Sequence, residues 1–196
     1  MKILNIAAYF SLCLISQWSY SSEWRPKTDE DYALLPPYCK VAQGAPNHED
    51  PSAKVWGERL GDGFSHVHHY CWGLFDVSNA HKTFDKASRN GLLGAAIREM
   101  QYVQRNAPPT FVLQPKISYD IGQILEELDD NAGAMHAYYQ SIKLNPKLPR
   151  PYAALSDLFK KQNNTKEALA ILEQGLKYKP KSKTLLKRLA LLSKAK

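Results

Sequence analysis

Three histidines and one cysteine lie close together in a string that runs from His66 through His68 and His69 to Cys71. Imidazole nitrogens and a thiolate are ligands that zinc and other transition metals prefer, so the string raises the hypothesis of a metal or haem site. A thiol beside a histidine could also serve nucleophilic catalysis. A third interpretation is structural, with the imidazoles bonded to the backbone or packed against Trp72.

The spacing limits how many of these ligands can converge on one ion. On a helix, His66 lies beside His69 and His68 lies beside Cys71, whereas His66 and His68 point in nearly opposite directions. A strand would align His66 with His68, but residues 70–75 continue in helical spacing. The sequence has no second ligand cluster at zinc spacing and no Cys-x-x-Cys-His for covalent haem. At most two ligands converge, so we assign no metal ligand and no cofactor.

No other motif indicates catalysis. The sequence lacks Gly-x-Ser-x-Gly, His-Glu-x-x-His and a phosphate-binding loop, and Cys71 lacks the remote partners of a cysteine hydrolase. We therefore predict that the chain is not an enzyme, and we assign no catalytic residue.

The N-terminal residues have the pattern of a secretory signal peptide. Lys2 supplies a positive start, residues 3–15 form an apolar run, and Ser19-Tyr20-Ser21 provides a small-x-small cleavage site. We predict that residues 1–21 are removed and that the mature chain is periplasmic or secreted, in a bacterial host rather than a eukaryotic one. The alternative is that the apolar run is a buried N-terminal helix.

Cysteine usage gives Cys71 a competing role. Cys13 would leave with the signal peptide, so only Cys39 and Cys71 remain in the mature chain. An even pair in an exported protein most simply forms one disulfide. By loop entropy, such a link would stabilise the fold by about 3 to 4 kcal/mol. A cysteine in a disulfide cannot ligate a metal, which weakens the metal hypothesis further.

Composition and charge narrow the class of protein. The chain is 44% hydrophobic and 23% charged, without a stretch of eighteen apolar residues, as is typical of a globular domain. The net charge is +7, and basic residues gather at the C-terminal end. That end is expected to be a solvated helix face that is also suited to peripheral contact with an anionic membrane surface. Nucleic acid is not an expected partner, because the chain shows no RNA-binding signature.

An internal repeat with a period of 34 residues occupies residues 115–182. Residues 115–148 superpose on residues 149–182, pairing Ile121 with Leu155, Gly122 with Ser156, Leu125 with Phe159, Ala134 with Ala168, Tyr138 with Leu172, and Pro146 with Pro180. In each unit, apolar residues four apart line a first helix, and the alanine lets a second helix approach closely. Turn residues separate the two helices, and the proline ends the second. The pattern predicts an all-α fold of stacked helix pairs.

This arrangement resembles the tetratricopeptide repeat (TPR) family over residues 115–182. Ser118 departs from the large aromatic residue of that pattern, whereas Tyr152 keeps it in the second unit. Ala96 and Pro108 keep the alanine-to-proline spacing and predict a degenerate helix pair with its loop over residues 76–114. The remaining predicted segments are a capping helix with a basic tail over residues 183–196 and an irregular, disulfide-stapled Cys/His segment over residues 22–75.

The Cys/His segment ahead of the repeats is itself similar to small exported bacterial TPR proteins. The TPR resemblance implies a concave groove, lined by the first helices, that receives an extended or helical segment of a partner protein. Carried onto this chain, the groove positions are Tyr119, Gln123, Glu126, Arg150, Ala153, Asp157 and Lys160. We therefore predict an exported TPR scaffold in an envelope assembly. The alternative is a periplasmic metal- or haem-binding protein that uses His66, His68 and His69.

Overall fold

The computed structural model describes residues 25–194, and within this range the chain forms nine α-helices and no strand. The helices are α1 (Asp29–Ala33), α2 (Ser52–Leu60), α3 (Val67–Lys82), α4 (Lys86–Asn106), α5 (Gln114–Glu127), α6 (Asn131–Leu144), α7 (Pro149–Lys161), α8 (Thr165–Tyr178) and α9 (Lys183–Lys194). Short 3-10 turns occupy Pro37–Val41 and Gly61–His66. The all-α prediction is confirmed, and the predicted signal peptide lies outside the described residues.

From α3 onward, the helices pack as successive pairs. Helix α3 packs on α4, α5 on α6, and α7 on α8, and the single helix α9 packs against both α7 and α8. Helix α9 buries Leu185 and Leu192, so it covers apolar surface that the last pair would otherwise expose. None of the described helices is both long enough and apolar enough to cross a bilayer.

The turns inside the two repeat units are built in the same way. Asp130 caps α6 by accepting a hydrogen bond from the Gly133 amide at 2.9 Å, and Asn164 caps α8 from the equivalent position. The residues before them, Asp129 and Asn163, have φ values of 62° and 58°. Aspartate and asparagine tolerate this left-handed conformation better than most residues, so the local sequence encodes each turn.

The disulfide between Cys39 and Cys71 is present and joins the N-terminal segment to α3, with the two Cα atoms 5.6 Å apart. Trp56 packs edge-on against Tyr38 beside it, at a ring separation of 5.5 Å. One predicted boundary is wrong, because α3 runs without interruption across residues 75 and 76. The histidine string therefore belongs to the start of the first helix pair, since the buried face of α3 begins at Val67.

The apolar interior of the described chain forms two clusters. The first joins the N-terminal segment to α3, α4 and α5, and the second joins α6, α7, α8 and α9. A buried polar contact also ties α3 to α5, because the Tyr70 hydroxyl donates to the Asp120 carboxylate at 2.5 Å. Lys116 donates to the same carboxylate at 2.8 Å, and this contact compensates the buried negative charge of Asp120. The first helices of neighbouring units are thus held at a defined separation.

The close approach of α6 requires a glycine in α5. A Cβ atom at Gly122 would lie 2.4 Å from the buried ring of Tyr138, whose hydroxyl donates to Glu126 at 2.8 Å. We expect Gly122→Ala to cost about 1 to 3 kcal/mol of folding free energy, because the held ring cannot move freely. Gly91→Ala, on the exposed face of α4 where a Cβ meets nothing within 4 Å, should instead stabilise by roughly 0.5 to 1 kcal/mol. Urea unfolding of both variants checks this, and equal shifts would contradict the packing argument.

Candidate partner-binding groove and the histidine string

A concavity of about 680 Å³ opens on the side of the solenoid formed by α5, α7 and α9. Its lining residues are Tyr119, Gln123, Glu126, Tyr138, Arg150, Ala154, Asp157, Lys161, Thr184 and Arg188. Five of the predicted groove positions are therefore brought together in one place. They are Tyr119, Gln123, Glu126, Arg150 and Asp157.

Two predicted positions on α7 are corrected. Lys160 does not line the concavity, and Ala153 is buried in the second apolar cluster. The lining residues of α7 are instead Arg150, Ala154, Asp157 and Lys161. These four residues are four, three and four positions apart, so they lie on one face of the helix. From sequence alone, this face and the neighbouring face with Ala153 and Lys160 have the same periodicity. The packing of α7 on α9, and the ion pair of Lys161 with Glu126 of α5, selected between them.

Ion pairs between neighbouring first helices cross the groove. Lys161 on α7 reaches Glu126 on α5 at 2.6 Å, and Arg188 on α9 forms a bidentate pair with Asp157 on α7 at 2.8 to 3.1 Å. The hydrogen bond and charge of Asp157 raise the pKa of Arg188 despite its partial burial. Each carboxylate of the groove is thus paired with a cation from the next unit.

The remaining polar groups of the groove are free to meet a ligand. Within the described part of the chain, Arg150 forms no ion pair, and it lies near Tyr119, whose pKa is raised by burial. Gln123 and Thr184 add an amide and a hydroxyl to the same lining. Both carboxylates already have cations, so the charged group left over is Arg150, which can only donate hydrogen bonds, while Gln123, Thr184 and Tyr119 can both donate and accept. The groove is therefore suited to a segment that carries acceptors.

Sequence reasoning missed half of the lining, including both residues of α9. Extending the period of 34 by one more unit places Thr184 over Arg150 and Arg188 over Ala154. The repeat period therefore could have identified both residues, because α9 occupies the place of the first helix of a third unit as well as capping the second. Tyr138 could not be found in this way, since it reaches the groove from α6 by hydrogen bonding to Glu126.

The histidine string is engaged by residues of α4. His69 forms a hydrogen-bonded pair with Glu99 through Nδ1 and stacks on Tyr102 with ring centres 3.7 Å apart. His68 lies against the edge of Trp72, and burial, reinforced by the neighbouring His69, lowers the pKa of His68 to about 4. A low pKa keeps this imidazole neutral at ordinary pH. His69 is therefore a packing group of the α3–α4 interface, whereas His68 packs against His69 and Trp72 of its own helix.

The N-terminal segment closes over the same cluster. The Arg25 guanidinium lies 3.1 Å from the centre of the Trp72 ring and 3.4 Å from a Glu99 oxygen. Asp76 is buried beneath, and burial, with the nearby charge of Glu99, raises its pKa to about 7. Within residues 25–194, no group of three histidine, cysteine or acidic side chains is arranged to hold a metal ion, and Cys71 is in the disulfide. The geometry does not favour the metal- or haem-binding alternative.

Stacked helix pairs with a polar groove along their first helices define the class of helical-repeat interaction scaffolds. The tetratricopeptide repeat family model matches residues 115–148 and 149–182. Residues 115–182 therefore match the tetratricopeptide repeat family, and the resemblance seen in the sequence is confirmed over this part of the chain. A search of curated proteins found no match.

One solved structure that is similar to this chain is a thermophilic TPR protein from Thermus thermophilus. The two chains are 20% identical in sequence, and their superposition has a TM-score of 0.57. The alignment covers 71% of this chain and 68% of the other. At this identity, the similarity supports the fold of the helix pairs and says nothing about a shared partner.

Proposed function

We propose that this chain is an exported, non-catalytic scaffold that binds a protein partner in the groove between α5, α7 and α9. The match of residues 115–182 to the TPR family model supports a role in protein–protein interaction. The observation that carries the proposal is the concavity itself, which gathers five independently predicted positions from two units into one surface. The predicted signal peptide and the disulfide support an oxidising, extracytoplasmic location, where the partner would be part of an envelope assembly.

The charges of the groove define the chemistry of the partner segment. Glu126 and Asp157 are paired within the chain, whereas Arg150 has no ion-pair partner among the described residues. We propose that the groove receives an extended or helical polar segment and that an acidic side chain of this segment meets Arg150. Tyr119 lies beside Arg150 and offers an aromatic face for an adjacent apolar residue of the same segment.

A display library of short peptides, selected on the purified full chain, tests the groove. We expect Arg150→Glu to weaken binding of the selected peptides about ten- to a hundredfold, because a charge-assisted hydrogen bond is replaced by repulsion. The matched control is Lys166→Glu, which makes the same charge reversal on the exposed start of α8, outside the groove. Calorimetric titration measures both. Equal weakening by both variants, or none by Arg150→Glu, would place the binding site elsewhere.

Export is tested separately on the cell that makes the protein. We expect the protein in the periplasmic or culture-medium fraction, with an intact mass that corresponds to cleavage after about residue 21. Replacing Leu12 and Leu14 by arginine interrupts the apolar run, so the unprocessed chain should remain in the cytoplasm. A processed wild type in the cytoplasmic fraction, or unchanged export of the variant, would contradict the predicted signal peptide.

A further inference from the structure

The last turn of α8, the following loop and α9 carry a surface that the groove does not use. Its charged members are the exposed lysines Lys177, Lys179, Lys181, Lys183, Lys187 and Lys194, which we call the basic end. The sequence contains no aspartate or glutamate after Glu173. The basic end therefore has a one-signed charge, unlike the groove, in which acids and bases alternate.

The lysines of the basic end are not neutralised within the fold. Of the cations in α9, Arg188 turns toward α7 and pairs with Asp157. Across residues 25–194, none of the six lysines of the basic end lies within ion-pair distance of a carboxylate, whereas Lys161 and Arg188 both do. A solvated face with interspersed charges of both signs would need no partner. Six uncompensated lysines instead create a positive potential that attracts an anionic surface.

Apolar side chains are exposed among these lysines. Leu186 is 44% exposed, Leu191 is 59% exposed, and Tyr178 is 49% exposed, although α9 has an apolar side that buries Leu185 and Leu192. A shallow cleft of about 510 Å³ beside Tyr178 is lined by two prolines and bordered by Lys179 and Lys181. Exposed leucine and tyrosine side chains that lie among lysine ammonium groups are typical of protein surfaces that bind to lipid head groups.

The type of cation indicates the type of partner. All six charges of the basic end are lysines, whereas the one arginine of α9 already forms a specific bidentate pair. Arginine is the residue that recognises an individual carboxylate with fixed geometry, and lysine is a mobile point charge that suits a diffuse anionic surface. We propose that the basic end binds the surface of a bilayer that contains anionic phospholipids, with Leu186, Leu191 and Tyr178 entering the head-group layer.

This contact would orient the groove relative to the membrane. Thr184 and Arg188 line the groove, while Lys183 and Lys187 lie on the exposed side of the same helix. Helix α9 can therefore touch a bilayer with its outer side while its inner side takes part in partner binding. The proposal is independent of partner binding, so Arg150→Glu should leave membrane binding unchanged.

Vesicle co-sedimentation of the full-length protein tests the proposal. We expect binding to vesicles of phosphatidylcholine with about 30% phosphatidylglycerol, and at least roughly tenfold weaker binding to phosphatidylcholine alone. The triple variant Lys181→Gln/Lys183→Gln/Lys187→Gln should bind about a hundredfold more weakly, since each lysine near an anionic surface contributes about a fivefold factor. Raising the salt concentration from about 0.05 to 0.5 M should also weaken wild-type binding, because exposed charges are screened.

The matched control carries three substitutions of exposed lysines elsewhere, Lys54→Gln/Lys86→Gln/Lys166→Gln, and has the same net charge as the triple variant. It should bind like the wild type. Because residues 1–21 are identical in all variants, differences between variants report only the substituted lysines. Equal loss in both triple variants, no preference for anionic vesicles, or tighter binding to polyglutamate than to the vesicles would overturn the proposal, the last in favour of an acidic protein partner.

Discussion

Reducing the disulfide between Cys39 and Cys71 should lower the free energy of unfolding by about 3 to 4 kcal/mol. The bond spans a sequence separation of 32 residues and restricts the unfolded chain over that length. It also holds the N-terminal segment, which has only short helices, against the first apolar cluster. Without the bond, the segment must form that contact at a larger cost in chain entropy.

Urea unfolding with and without a phosphine reductant measures this effect. Both sulfurs belong to residues that are at most 2% exposed, so reduction should be carried out in denaturant and followed by refolding. The double variant Cys39→Ala/Cys71→Ala should unfold at the same urea concentration as the reduced wild type and should not respond to the reductant. If oxidised and reduced wild type unfold at the same urea concentration, the disulfide does not stabilise the first cluster.

Asp76→Asn should stabilise the protein by roughly 2 to 4 kcal/mol at pH 8 and have little effect at pH 4. Burial, and secondarily the charge of Glu99, raises the pKa of Asp76 to about 7 against the opposing influence of Arg25 and Arg98. The folded state therefore keeps a proton that the unfolded chain releases near pH 4. This stabilising contribution is complete below pH 4 and is lost as the pH rises through 7. Asparagine imitates the protonated form at every pH.

Unfolding free energies at several pH values between 4 and 8 check this expectation, as the difference between variant and wild type. The pKa of His68 is lowered to about 4, so His68 changes stability with pH in the opposite sense to Asp76. The stability that neutral His68 contributes is complete above pH 6.5 and is lost as the pH falls through 4. It is present in both proteins and cancels in the difference. Asp62→Asn, at an exposed position, is the matched control and should show no pH-dependent gain. If the stability difference between Asp76→Asn and wild type does not grow between pH 4 and pH 8, burial does not raise the pKa of Asp76.

The groove shows where sequence reasoning succeeded and where it stopped. On α5, the predicted positions Tyr119, Gln123 and Glu126 do line the concavity, because the apolar stripe on the opposite side defines which face is outward. On α7, the lining residue is Lys161 and not Lys160. Two neighbouring stripes of a helix are about equally polar there, and only the contact of Lys161 with Glu126 on α5 separates them.

The role of the histidine string, unlike the groove face of α5, could not be predicted from the local sequence. The local pattern of imidazoles beside a thiol was compatible with metal binding, packing or catalysis, because all three depend on groups that lie elsewhere in the chain. Glu99, which binds His69, is 30 residues away in sequence, and the disulfide partner of Cys71 is 32 residues away. These partners come from α4 and from the N-terminal segment, and they leave Cys71 buried and the three histidines half-buried.

The sequence by itself determined the helix pairs, their period and their turns. These features arise from contacts between residues at most four apart, such as the cap that Asp130 provides for α6, and so they are encoded locally. Only the tertiary structure decided which stripe of α7 faces the groove, why Asp76 has a raised pKa, and what surrounds the histidines. Each of these depends on side chains distant in sequence, and their distances follow from how the helix pairs pack against one another.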